Sequence, residues 1–198
     1  LSLALAACTE VRGLVEEFDP RTRAVEEDYR RVAEPFLAQA SVYRGPATEA
    51  HFRALPLNWP VRRAMVSRRA LAFDLEAAEA DELLAGQARV HQQRLAVVVS
   101  AYLPWDQNRD LAGADPTFRA FLRDADGLRL QPADIRRLRE RTALRESLYW
   151  FWGPWSRLYV YSFDRAPGFP AQGRAVLVLT GAPGRAELDL RFPPGDGS

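Results

Sequence analysis

The hydrophobic period changes at Leu95. Upstream, apolar residues recur at three- and four-residue spacing, the period of one face of a helix; downstream they run together or alternate, the period of a strand. In the last such segment Leu188, Leu190 and Phe192 alternate with Glu187, Asp189 and Arg191, which predicts a strand with one buried face and one wet face. A chain carrying both periods needs helices and sheet around a shared core. The expected class is α+β: an N-terminal helical region packed on a C-terminal antiparallel, sandwich-like β-sheet domain with one short inserted helix. The expected divisions are 1–7, 8–93 (helical), 94–193 (β-rich) and a disordered Pro- and Gly-rich tail over 194–198.

Along the first half, Val11, Leu14, Val15 and Phe18 mark one helical stripe, and Asp19-Pro20 offers a new start. Val25, Tyr29, Val32, Phe36 and Ala40 continue the period to about Tyr43, with a kink or restart at Pro35. Residues 47–60 read as a connector with a short helical turn, and Val61–Ala72 as a helix. Asp74 is the expected cap of a helix over Leu75–Gln92. Acidic residues crowd its start and Arg89 and Arg94 lie near its end, as the helix dipole favours. In the second half, strands are expected over Leu95–Leu103, Thr117–Arg123, Leu128–Leu130, Leu158–Phe163, Ala175–Thr180 and Ala186–Phe192. Asp124-Ala125-Asp126-Gly127 and Gly181-Ala182-Pro183-Gly184 are hairpin turns. Pro132 is expected to open the inserted helix, Ala133 to about Arg141.

Composition narrows the function classes. The chain has 198 residues, 47% hydrophobic and 27% charged, with a net charge of +1, as expected of a folded domain with no general drive towards nucleic acid. All 27 basic residues are arginine. Ile occurs only at Ile135, and Asn only at Asn58 and Asn108, the pattern of GC-rich codon usage rather than of a local binding site. No apolar run reaches the roughly 18–20 residues of a membrane-spanning helix.

The opening residues Leu1-Ser2-Leu3-Ala4-Leu5-Ala6-Ala7-Cys8 form a short apolar run that ends in small residues and the chain's one cysteine. A single thiol makes no internal disulfide and no cysteine-based zinc site. Leu5-Ala6-Ala7-Cys8 resembles the lipobox of bacterial lipoproteins. That resemblance, confined to eight residues, implies cleavage before Cys8 and lipidation of its thiol with fatty acyl (palmitate-like) chains. Residues 1–7 would then be a signal-peptide remnant, the front of a precursor lying upstream. It implies an anchor in the cell envelope and, with Thr9 rather than Asp after the cysteine, the outer membrane facing the periplasm. Each buried acyl CH₂ adds about 0.8 kcal/mol of membrane binding.

Nucleotide, hydrolase-elbow and zinc-protease motifs are all missing. The two histidines, His51 and His91, sit in no ligand-spaced motif, and no metal or cofactor is expected. Asp124–Gly127 resembles the centre of a calcium loop, but Leu122 and Ala133 stand where its first and last ligands belong. Two surfaces are candidates for a ligand or partner. One is the aromatic run with Trp150, Trp152 and Trp155, a platform for sugar rings or a membrane-interface patch. A consecutive run cannot all face one way, so packing between the helical and strand-rich halves is the competing reading. The other is the arginine-rich segment with Arg136 and Arg137, continuing through Arg139, Arg141 and Arg145, suited to phosphate groups or an acidic partner. The expected function is therefore a lipid-anchored, non-enzymatic envelope protein that binds a partner or assists assembly. The alternatives are a glycan- or peptidoglycan-binding module using the Trp150–Trp155 cluster, or a hydrolase built around His91 or His51.

Overall fold

The computed structural model describes residues 28–104, 110–113 and 115–193. Cys8, the first helical stripe and the 194–198 tail lie outside the described residues. Two antiparallel sheets carry the fold. The first has the strand order β1-β2-β3-β7-β6, formed by Ala38–Arg44 (β1), Ala47–Pro56 (β2), Arg94–Tyr102 (β3), Arg157–Asp164 (β7) and Asp134–Leu138 (β6). The second has the order β5-β4-β8-β9, from Arg129–Leu130 (β5), Arg119–Asp124 (β4), Arg174–Gly181 (β8) and Gly184–Arg191 (β9).

The sheets face each other over one apolar core. Phe52 from β2, Val97 and Val99 from β3, and Tyr161 and Phe163 from β7 meet Phe118, Leu122, Leu177, Leu179, Leu188 and Leu190. Burying each of the larger apolar side chains contributes about 1.5–3 kcal/mol. The alternation of β9 does what its sequence predicts: Ala186, Leu188 and Leu190 are buried and Glu187, Asp189 and Arg191 are exposed. Gly181 is required where β8 passes residue Thr117, because a Cβ there would stand 2.1 Å from the Thr117 carbonyl oxygen.

A helical layer covers the other face of the five-stranded sheet. Leu55, Val98 and Leu158 pack against Tyr29, Val61, Leu148, Tyr149 and Phe151. The central strand β3 is thus covered on both sides, which explains its continuous apolar run. The layer comprises a helical turn over residues 28–36, α1 (Trp59–Ala72), α2 (Ala77–Gln93) and the short α3 (Ala143–Leu148). Asn58 starts α1: its side-chain oxygen accepts from Val61 N–H at 3.1 Å, while its Nδ2 donates to the Arg191 carbonyl at 3.4 Å. At the start of α2, Glu79 accepts from the Glu76 N–H at 3.1 Å.

The α+β class and its antiparallel, sandwich-like sheets match the sequence reading, and the later strands fall within a residue or two of their expected places. Four local expectations are corrected. The helical stripe through Val32 and Phe36 ends at Phe36, in a 3₁₀ turn containing Pro35, and does not run on to Tyr43. Residues 38–56 are a β-hairpin, not a helix end and a connector; Ala50, Phe52 and Ala54 face the inter-sheet core at period two. The cap of α2 is Glu76, not Asp74, which occupies the preceding turn at φ 49°. Residues 134–138 form strand β6 rather than a helix, and the inserted helix comes later, at Ala143–Leu148. Pairing with β7 overrides the start signal at Pro132: Ile135 packs towards the inter-sheet core and Leu138 towards the helical layer, which only an extended chain allows.

Candidate functional site

The aromatic run is divided by the fold. Tyr149, Phe151 and Trp152 are buried in the layer between helices and sheet. Trp150 is half-buried, edge-on to Tyr29 at 5.8 Å and to Phe151 at 5.4 Å, with the Arg30 guanidinium 5.2 Å from its ring. Trp155 stands apart at 82% exposed. The three indoles therefore form no common platform: Trp150 and Trp152 are packing residues and Trp155 alone faces solvent. The turn responsible is tight. Ser156 N–H donates to the Gly153 carbonyl at 3.1 Å, and the Trp152 indole N–H to the Ser156 carbonyl at 2.9 Å, which pins the loop and leaves its tip, Pro154-Trp155, outside.

Beside this loop lies a cup of about 410 Å³ lined by Arg137, Arg139, Arg141 and Arg157 with Leu138, Trp152 and Ser156. Four of the seven lining residues are arginines and none is acidic. Strand pairing assembles it. The β6–β7 ladder ends at Leu138 opposite Leu158, so Arg139 and Arg157 leave the ladder at the same end. Arg141 is fixed over the Trp152 ring at 4.1 Å, donates to the Gly153 carbonyl at 2.6 Å and pairs with Glu146 at 3.1 Å. Arg137 pairs with Asp110 at 3.6 Å. Asp110 in turn accepts from the Tyr159 hydroxyl at 2.6 Å and from the Leu111 N–H at 2.7 Å. Burial alone would raise the Asp110 carboxyl; these hydrogen bonds, the Ala112 N–H and Arg137 outweigh it and hold the carboxyl below its ordinary range. Arg139 is exposed and has no carboxylate partner among the described residues. Arg136 is exposed on the edge strand β6 and does not line the cup.

Ser156 also lines a second recess of about 360 Å³, with Ser41, His51, Arg53, Ser100 and Tyr102 from β1, β2 and β3. Tyr43, 66% exposed, belongs to the same recess. Ser41 Oγ and His51 Nδ1 are 2.8 Å apart. Partial burial, and then the neighbouring Arg53, lower the His51 pKa, favouring the neutral ring. Among the described residues no carboxylate pairs with His51. His91 is elsewhere: buried in α2, stacked on Trp59 at 5.8 Å, with Arg165 Nη2 3.2 Å from its Nε2. His91 does not line the recess that holds His51, and no group of three or more metal-ligating side chains exists among the described residues.

The sequence reading singled out Trp155 and Arg137 but missed Arg157, Ser156 and the Ser41–His51 pair. The available signal was the pairing of β6 with β7, which a helical reading of 133–141 conceals. Comparison of the chain with protein-family models, with curated proteins and with solved structures gave no match. No helix among the described residues is long and apolar enough to cross a membrane.

Proposed function

We propose that this chain is a lipid-anchored protein of the bacterial cell envelope whose folded domain is a non-enzymatic binding module, held at the outer membrane on its periplasmic side through Cys8. The anchor rests on the lipobox-like Leu5-Ala6-Ala7-Cys8. The observation that carries the binding role is Trp155: an indole 82% exposed on a pinned loop, beside a cup with four arginines and no acid. Tryptophan and arginine are among the side chains most enriched at the centres of binding interfaces. The partner is an envelope component, a protein or a glycan; nucleic acid has no place in this reading.

Two measurements test it. The precursor produced in a bacterial cell is expected to partition with membranes and to carry an acyl-sized mass increase that a Cys8→Ala variant lacks. A photo-crosslinker replacing Trp155 is expected to capture an envelope component that the same probe at exposed Phe73 does not. Unmodified, soluble protein from both forms would overturn the anchor. Identical capture from both positions would overturn the binding face.

A further inference from the structure

We propose that the recess formed around Ser41, His51, Arg53 and Ser100 binds a sugar acid, its carboxylate on Arg53 and its hydroxyls on the hydroxyl groups and imidazole beside it. The site is separate from the Trp155 face, since Trp155 does not line it, and neither reading needs the other.

Strand parity builds the recess. Leu55 on β2 and Val98 on β3 face the helical layer, so His51 and Arg53, and Ser100 and Tyr102, lie on that same side of the sheet. Pairing sets Arg53 beside Ser100, and His51 between Ser41 and Tyr102. Next to them Phe151, Gly153 and Ser156 supply the remaining wall. The space enclosed is about 360 Å³, near the lower end of the range for small-molecule sites.

Charge and hydrogen-bonding capacity then select the ligand. Arg53 is half-buried and makes no ion pair or hydrogen bond within the described residues. Taking a guanidinium partly out of water without a partner is costly, and a bound anion offsets that cost. Ser100 is only 3% exposed, yet its hydroxyl has no hydrogen-bond partner within the described residues either. Buried polar groups are nearly always satisfied, and these two are register partners, so one ligand reaches both. Arg53 is the one arginine among the lining residues, none of which is acidic, and the neutral ring of His51 is favoured, so the recess carries a single positive charge. That matches a carboxylate, which takes two parallel bonds from one guanidinium, better than a phosphate monoester with about −1.5 to −2 charges. Ser41 Oγ engages His51 Nδ1 at 2.8 Å, which leaves Nε2 for a ligand hydroxyl. Tyr43, 66% exposed, adds an apolar ring face with a polar tip, suited to the two sides of a sugar ring.

The experiment is a proton NMR titration of the 198-residue chain at fixed pH, following the rings of its two histidines. The probes are glucuronate, glucose, acetate and inorganic phosphate. Glucuronate is expected to move the His51 signals and to leave those of His91, which lies outside the recess, in place. It is expected to bind about tenfold more tightly than acetate or phosphate, and glucose not measurably. Arg53→Gln is expected to weaken glucuronate by about tenfold or more, and Arg53→Lys by less. Tyr43→Ala is expected to bring glucuronate down to the affinity of acetate. Circular dichroism and unfolding midpoints check the variants, and the four probes on the wild-type chain decide the outcome even where a variant does not fold. Glucuronate that leaves His51 unmoved, or that binds no better than glucose or acetate, overturns the proposal. So does tighter binding of inorganic phosphate, which would assign Arg53 to a different anion. Crosslinking at position 155 reads a different face, so either reading can fall while the other stands.

Discussion

The Arg141 guanidinium carbon lies 4.1 Å from the centroid of the Trp152 ring, and the same side chain donates to the Gly153 carbonyl at 2.6 Å. One arginine therefore holds both a buried indole and the loop that carries Trp155. Arg141→Ala removes the cation–π contact and the hydrogen bond together and is expected to cost about 1–3 kcal/mol, read as a lower urea midpoint. Arg141→Lys keeps the charge but loses the planar fork, so it is expected to recover less than half of that loss.

Asn58 joins α1 to the last strand of the other sheet. Its oxygen caps the helix and its amide nitrogen reaches the Arg191 carbonyl. Asn58→Ala is expected to destabilise the fold by about 1–2 kcal/mol. Asn58→Asp retains the cap and loses the donor, so its unfolding midpoint is expected to fall between the wild type and the alanine variant.

Phe52 and Phe118 meet edge to face across the two sheets, with ring centroids 5.2 Å apart. Both are fully buried. Phe52→Ala opens a cavity at the centre of the sandwich and is expected to cost about 3–5 kcal/mol. Phe52→Leu is expected to cost clearly less. Denaturant unfolding of the three proteins checks the order.

The pH dependence around His51 has a definite sign. Its folded pKa lies below the reference 6.5, because burial and then Arg53 disfavour the charged ring. The unfolded chain therefore binds the proton more readily, and this contribution to stability is complete above about pH 6.5 and is lost as pH falls through the folded value. His51→Gln is expected to flatten the loss of stability between about pH 6.5 and pH 5, followed by unfolding midpoints at each pH. A ring titrating at or above 6.5 in a proton NMR experiment would contradict the assignment.

Legibility followed the range of the forces involved. β3, β7, β8 and β9 could be read because each strand's own period, or its unbroken apolar run, decides how it is buried. The hairpin Ala38–Pro56 was masked by Val32, Phe36 and Ala40, which keep helical spacing across Pro35 although the helical turn stops at Phe36. β6 was masked by Pro132-Ala133, a valid helix start that loses to pairing with β7. The candidate site shows the same division. Trp155 and Arg137 stand out in sequence by type, whereas Arg139 and Arg157, 18 positions apart, become neighbours only through the ladder that ends at Leu138 and Leu158.

Strand β6 also bears on how copies of this molecule behave when concentrated. It is the edge of the five-stranded sheet, where unpaired backbone amides and carbonyls invite a second chain. Asp134 and Arg136 are exposed on it and Arg139 follows directly, so an identical edge sliding alongside meets fixed charge rather than a flat apolar ribbon. At the edge of the other sheet, β5 offers only two residues to pair with. These features keep β6 and β5 poor templates for fibrous self-association for as long as the sheets remain folded.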